Sequence, residues 1–189
     1  MEFMTDIVER LREVFEARGN ERYGTEAVSQ LEHALQTALL AKESDAGEAL
    51  MVAALLHDVG HIFNPNGSDG IETDASGFDD KHEYRANAWI KQYFGEVVAD
   101  PIRLHVRAKR YLCTIEESYR NELSPTSYQS YLDQGGNMSD AELREFESEP
   151  FYKEALILRR LDDRAKVKGK ATPDLNEFLE TCRSALGQT

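Results

Sequence analysis

Cysteine is nearly absent: Cys113 and Cys182 are the two in 189 residues, and they lie far apart in sequence. That excludes a disulfide framework and a thiolate metal site, and it suits a reducing compartment. Positive charge is also scarce. Lys and Arg number 22 against 35 Asp and Glu, a formal net charge of −13. Nucleic-acid binding through the phosphate backbone, which relies on excess Lys and Arg, is therefore not expected. No apolar run approaches the length that crosses a bilayer, and the start MEFMTDIVER lacks the apolar core of a signal peptide. The expectation is a cytoplasmic protein with no membrane partner. Low-complexity tracts and repeats are missing too, and the length suffices for one good core but is short for two. A single domain over residues 1–189 follows, with 1–3 read as a cloning remnant ahead of a second methionine, Met4.

What is present is helical periodicity. Sustained period-two alternation is nowhere seen, whereas apolar residues recur at three-to-four spacing almost throughout, so the fold class is all-α. The spacing predicts a helix from an N-cap at Thr5, with Ile7, Val8, Leu11, Val14 and Phe15 on one stripe, ended by Gly19-Asn20. A second helix is predicted over about 26–42. A third, over about 47–61, is apolar most of the way round and belongs in the middle of the fold. Residues 64–79 are rich in Gly, Asn, Asp and Ser and read as a long, functional loop. A helix over 81–94 should turn Tyr84, Ala88 and Trp89 inward; Asp100-Pro101 reads either as the start of the next or as a kink in one begun at Glu96. Ser124-Pro125 opens a helix that stops at Gly135-Gly136, and Ser139 with Glu142 forms a capping box. A long helix over about 151–168 and a last one opened by Thr172-Pro173 complete the chain.

The chain has five histidines, His33, His57, His61, His82 and His105, each on or at the start of a predicted helix and among core-facing residues. A lone histidine in such a place is usually a hydrogen-bonded core residue. Five of them, with Asp58 beside His57 in ALLHDVGHIF, are more than packing requires. Metal binding does require them, because imidazole and carboxylate suit iron, manganese or zinc. Adjacent residues on a helix point about 100° apart, so His57 and Asp58 do not share a face of the predicted helix, but both can close on a metal lying beside it. His61, one turn after His57, lines the same cavity. Asp58, with two oxygens, is the natural bridge if there are two metals.

His33, then His57-Asp58, then a late aspartate, in the order H…HD…D with LLHDVGH, resembles the HD-domain superfamily of metal-dependent all-α proteins over about residues 20 to 170. His82 and His105 between them resemble the additional ligands of the dinuclear HD subgroup. RRLDDRAK offers two late aspartates. Asp162, with Lys166 four residues on, is similar to the pattern of diiron HD oxygenases, and Asp163 is the alternative. The resemblance implies that His33, His57, Asp58 and Asp162 hold a first metal and Asp58, His82 and His105 a second.

HD proteins are chiefly phosphohydrolases, in which a metal-activated hydroxide attacks a phosphoester such as a nucleotide. A further set of residues points elsewhere. Tyr23 and Glu26 precede His33 in RYGTEAVSQLEH, Lys109 follows His105 by a turn, Arg159 precedes Asp162 by a turn, and Ser127 lies in LSPTSYQSYLDQGG. Together they resemble the mixed-valent diiron oxygenases that cleave the carbon–phosphorus bond of 1-hydroxyphosphonates (the PhnZ type), and more distantly myo-inositol oxygenase. That resemblance implies two iron ions, Fe(II) and Fe(III), with O2 as co-substrate. It also implies a small organophosphonate such as 2-amino-1-hydroxyethylphosphonate or its N-methylated analogue, with phosphate and a carboxylic acid such as glycine as products. Lys109, Arg159 and His61, with Ser127, would hold the phosphonate, and Glu26 an ammonium at the other end. Tyr23 is implied to occupy an iron site until substrate displaces it, with Glu26 moving alongside. Each of these residues has a plainer explanation: solvated helix ion pairs for Lys109 and Arg159, a core tyrosine, a helix-start serine. What carries the reading is their occurrence around one ligand set. A degenerate HD module that only binds a nucleotide or a protein would be marked by lost ligands, and none is missing.

Overall fold

The computed structural model describes residues 2–63 and 82–186, by backbone alone at 2–6, 82 and 85. The segment 64–79, read as a loop, and the side chain of His82, read as a metal ligand, lie outside the described residues.

The fold is all-α; among the described residues the only pairing of extended backbone is an isolated bridge between Arg22 and Ser29. Helix α1 (Glu2–Arg18) buries Ile7, Val8, Leu11 and Phe15, and it begins ahead of Thr5, which is inside the helix rather than its cap. Gly19 ends it because the chain folds back closely: a Cβ there would stand 2.3 Å from the Phe15 carbonyl oxygen. Helix α2 (Gln30–Glu43) begins later than the periodicity suggests. Ser29 caps it, accepting from the Glu32 N–H, and the Glu32 carboxylate accepts in return from the Ser29 N–H at 2.7 Å. Residues 22–29 instead form a turn, fixed where the Gln30 N–H donates to Glu21 O at 2.9 Å and the Tyr23 N–H to Val28 O at 3.1 Å.

Helix α3 (Glu48–Leu56) is followed by a single 3-10 turn, Val59–His61, so the predicted helix over 47–61 breaks at His57-Asp58. Likewise α4 (His82–Arg85) and α5 (Asn87–Phe94) are two pieces broken at Ala86. The break changes the register: Trp89 and Ile90 are buried, whereas Ala88 is exposed and Tyr84 is 49% exposed, opposite to the inward facing expected for those two. Helix α6 (Glu96–Ile115) contains Pro101 and therefore starts at Glu96, not at the Asp100-Pro101 pair. A short α7 (Glu117–Glu122) has no counterpart in the periodicity. Helices α8 (Pro125–Asp133) and α9 (Asp140–Ser148) start at Ser124 and Ser139 as their caps indicate, and Gly135 and Gly136, both at positive φ, end α8. Helix α10 (Tyr152–Arg164) stops four residues early, which leaves Lys166 beyond its end; α11 (Leu175–Ala185) is capped by Asp174 rather than Thr172.

Apolar packing falls into two clusters that meet along α6, which lies against α3, α5 and α10. Val98, Ala99 and Ile102 join α1, α2, α3, α5 and α11 in one cluster, while Leu104, Ala108 and Leu112 join α7, α8 and α9 in the other. His105 and Lys109 lie on α6 at this junction. Asp162, from α10, is fully buried, as is His33. A polar layer wedged between two apolar clusters is costly unless its members are paired or bound to something, and this one is held in place by both cores.

Candidate metal centre

Four elements converge. The first turn of α2 supplies His33, the break after α3 supplies His57 and Asp58, α6 supplies His105, and the end of α10 supplies Asp162. Because the chain leaves the helix at His57, Asp58 is not carried round to the next face; its Oδ2 comes within 3.2 Å of His57 Nε2 and 3.5 Å of His33 Nε2. Its other oxygen faces His105 Nε2 at 3.5 Å. Asp162 Oδ1 is 3.3 Å from His33 Nε2, and Asp162 Oδ2 is 3.9 Å from His57 Nε2. The candidate ligand atoms of His33, His57 and Asp58 all lie within 4.8 Å of one another.

The hydrogen bonds fix which ring nitrogens face inward. Nδ1 of His33, His57 and His105 each meets a backbone carbonyl, of Ala165 at 2.9 Å, Ala54 at 2.9 Å and Ile102 at 2.7 Å. A carbonyl only accepts, so each Nδ1 carries the hydrogen and each Nε2 is left to point at the carboxylates. His33 Nε2 and His57 Nε2 are 3.1 Å apart, a contact that two lone pairs do not tolerate without a cation or a proton between them. Burial works against charging His33, but Asp162 and Asp58 overcome it and lift the imidazole to about 9. Asp162 would be raised by burial, yet Arg159, Lys166 and His33 hold its carboxyl well below the ordinary range. Neither Asp162 oxygen, both fully buried, accepts an aligned hydrogen bond. A negative centre with converging nitrogen and oxygen donors and an orphaned buried carboxylate fits a divalent or trivalent cation.

Around this centre lie the other residues singled out in the sequence. Tyr23 is stacked on the His33 ring, centroids 4.0 Å apart, and burial, then the charges of Asp162 and Asp58, push its hydroxyl well above the usual tyrosine range. Arg159 Nη1 meets Asp162 Oδ2 at 2.7 Å. Lys109, buried on α6, donates to Ser130 Oγ at 2.5 Å; burial and then the neighbouring Arg159 pull its amine down to about 7. Ser127 accepts from Lys166 Nζ at 2.7 Å, and Ser124 Oγ donates to Glu26 Oε1 at 2.6 Å. Thus Ser124, the cap of α8, and Ser127 and Ser130 within it stand at three-residue spacing, each meeting a charged or titratable side chain from a different part of the chain. His61 stands at the edge: its Nε2 is 4.0 Å from Asp58 Oδ1, and its side chain is partly exposed. Of the two late aspartates, Asp162 joins the cluster, while Asp163 turns to Arg159.

Ser130 and Tyr119 were not singled out in the sequence, and Lys166 entered only as the marker of Asp162, with no role at the site. Lys166 lies 4.0 Å from Glu26 and 3.9 Å from Asp162. The Ser124-x-x-Ser127-x-x-Ser130 spacing on one face of α8 was a readable signal for Ser130; Tyr119, on a six-residue helix, gave none.

Comparison with known proteins agrees with this geometry. The model of the HD domain matches residues 30–166. Hydroxymethylphosphonate dioxygenase of Gimesia maris is 46% identical over 178 residues, covering 93% of this chain and 87% of that one. [1-hydroxy-2-(trimethylamino)ethyl]phosphonate dioxygenase (glycine-betaine-forming) of Leisingera caerulea is 38% identical, covering 92% and 87%. An uncharacterized protein, L432, of Acanthamoeba polyphaga mimivirus is 34% identical over 94% of this chain and 81% of its own. The helical architecture, the buried histidine–aspartate cluster and these matches have one reading in common: the chain belongs to the HD-domain family, among relatives that include named phosphonate dioxygenases.

Proposed function

We propose that this protein is a diiron oxygenase that uses O2 to cleave the carbon–phosphorus bond of a 1-hydroxyphosphonate, releasing phosphate and a carboxylic acid. The observation that carries the reading is a set of three basic side chains, Lys109, Arg159 and Lys166, gathered beside a histidine–carboxylate centre in a chain of net charge −13. Two of them are buried, and Lys109, which burial pulls down to about 7 and which has no carboxylate within 4 Å among the described residues, is an amine that an arriving anion would charge. The two named relatives act on phosphonates, which supply one.

His33, His57, Asp58 and Asp162 would hold one iron, and Asp58, His82 and His105 the other. A mixed-valent Fe(II)/Fe(III) pair supplies redox capacity for reducing O2 while accepting oxygen donors from substrate. The overall reaction balances with no further reductant: the carbinol carbon rises to the carboxylic acid, its C–P bond breaks, and the four electrons released reduce O2. One oxygen atom is gained by carbon and one by phosphorus.

The side chains supply binding and order. Lys109 and Arg159, aided by Ser127 and His61, hold the phosphonate dianion and orient its C–P bond. Tyr23, packed on His33 with its hydroxyl against the acids, closes the empty centre and gives way when substrate enters, limiting O2 consumption without substrate. Glu26, beside Lys166 and Ser124, would take the other end of the substrate. With an ammonium-bearing substrate it exchanges Lys166 for the substrate cation; with hydroxymethylphosphonate it remains on Ser124 and Lys166.

The test is aerobic incubation of iron-loaded protein with hydroxymethylphosphonate and with 2-amino-1-hydroxyethylphosphonate, following phosphate and dissolved oxygen together. Equimolar phosphate release and O2 uptake is the expected result. Phosphate without O2 uptake, or phosphate only from phosphoesters, would make the protein a metal-dependent phosphohydrolase instead.

A further inference from the structure

Asp163 neighbours a candidate metal ligand in sequence but not in purpose. Its Oδ2 accepts from Arg159 Nε at 3.0 Å and its Oδ1 pairs with Arg159 Nη2, so one carboxylate grips one whole edge of the guanidinium. Tyr119, brought in by α7, donates its hydroxyl to the same Oδ2, and Arg159 Nε lies 3.2 Å from that hydroxyl oxygen. Both ends of this grip are largely shielded from water: Arg159 and Tyr119 are buried, the latter in the apolar cluster of α7, α8 and α9. The gripped edge leaves Nη1 to reach Asp162 Oδ2.

We infer that Asp163 and Tyr119 are positioning residues for Arg159, clamping its Nε–Nη2 edge so that its other end is presented to Asp162 and to a phosphonate bound beside it. The inference rests on the proposed phosphonate function. A guanidinium at the end of a flexible stem binds an anion well only when its direction is fixed beforehand, and here the fixing group is an acid from the same helix, itself held by a phenol from another. The clamp has a signature that neither a surface ion pair nor a general field effect shares. Removing a negative charge near an anion site should tighten anion binding by Coulomb's law. Removing the carboxylate that aims Arg159 should weaken it.

The experiment measures inorganic phosphate and hydroxymethylphosphonate binding to anaerobic iron-loaded protein by calorimetry, with bound iron and thermal melting recorded for each variant. Asp163→Asn should weaken both anions about tenfold, the scale of one hydrogen bond to a charged group, with iron content unchanged. Tyr119→Phe, which keeps the ring packing, should weaken them less but in the same direction. In an Arg159→Ala background Tyr119→Phe should have no further effect, and Asp163→Asn should lose most of its effect, keeping only what passes through Lys166, 3.6 Å from Asp163. Tighter or unchanged binding in Asp163→Asn, the same loss persisting without Arg159, or loss of iron in Asp163→Asn would overturn the inference. If Asp163→Asn does not fold, Tyr119→Phe alone and in the Arg159→Ala background decides it. Failure of the unaltered protein to bind either anion would instead overturn the phosphonate reading, and the clamp's purpose with it.

Discussion

Lys109 allows the anion reading to be tested through protons. Its amine is buried and held down at about 7, so at pH 8.5 it is almost wholly neutral in the empty protein. A phosphonate is a dianion at that pH and brings no proton of its own to bind. One unit charge about 4 Å from another, at the effective dielectric of a protein site, is worth on the order of 4 kcal/mol, which raises the amine's proton affinity roughly a thousandfold. Binding should therefore draw nearly one proton from solution. Calorimetric titration of anaerobic iron-loaded protein with hydroxymethylphosphonate, in two buffers of different ionisation enthalpy, reads this number directly. Lys109→Met should abolish it. An uptake near zero, or one that survives in Lys109→Met, would refute the role. The linkage has a counterpart in stability. Between about 7 and the ordinary lysine value of 10.5 the unfolded chain holds a proton that the folded one has shed, so the substrate-free protein should grow more stable as pH rises through that window. Lys109→Met should flatten that slope.

Three other substitutions probe the rest of the site. Tyr23→Phe removes the hydroxyl that burial and the two aspartates hold protonated beside His33; the metal spectrum of the substrate-free protein should change and its O2 consumption without substrate should rise, and an unchanged spectrum contradicts the role. Glu26→Gln should cost a 2-amino substrate roughly tenfold or more in kcat/KM, the scale of a hydrogen bond to a charged group, and cost hydroxymethylphosphonate little; equal losses would mean that Glu26 does not face the substrate's tail. Asp162→Asn should lower bound iron, measured by elemental analysis after gel filtration, because a neutral amide replaces the buried carboxylate that faces His33 and His57. Iron content equal to that of the unaltered protein would remove Asp162 from the ligand set.

The sequence is legible where a local signal and a tertiary demand coincide. Ser139 with Glu142, Ser124 before Pro125 and Gly19 after α1 mark boundaries through groups that satisfy the helix's own orphaned N–H and C=O, and the structure keeps them. It is illegible where the two conflict. Residues 50–63 are apolar enough to continue as helix to His61, and nothing local forbids it. The chain breaks at His57-Asp58 all the same, and the break is what allows two consecutive side chains to converge on His33 and Asp162, which a continuous helix would hold about 100° apart. The turn over 22–29 is a case of two competing local signals. Glu26, Ala27 and Val28 suit a helix, but Ser29 and Glu32 cap one, and the cap prevails because it leaves Tyr23 free to lie on the His33 ring.

Asp162 and Asp163 show a different limit. Adjacent on α10, they differ only in the direction they face, and periodicity does not fix the rotation of a helix to the precision that separates neighbours. Arg159 resolves them in the structure. At three and four residues' distance it reaches both, meeting Asp162 with one nitrogen and Asp163 with two, so one acid is left open to the histidines and the other is occupied. An arginine one turn before paired aspartates therefore assigns them opposite tasks. The one it touches end-on stays available to a cation, and the one it engages edge-on becomes the anchor that keeps the arginine there.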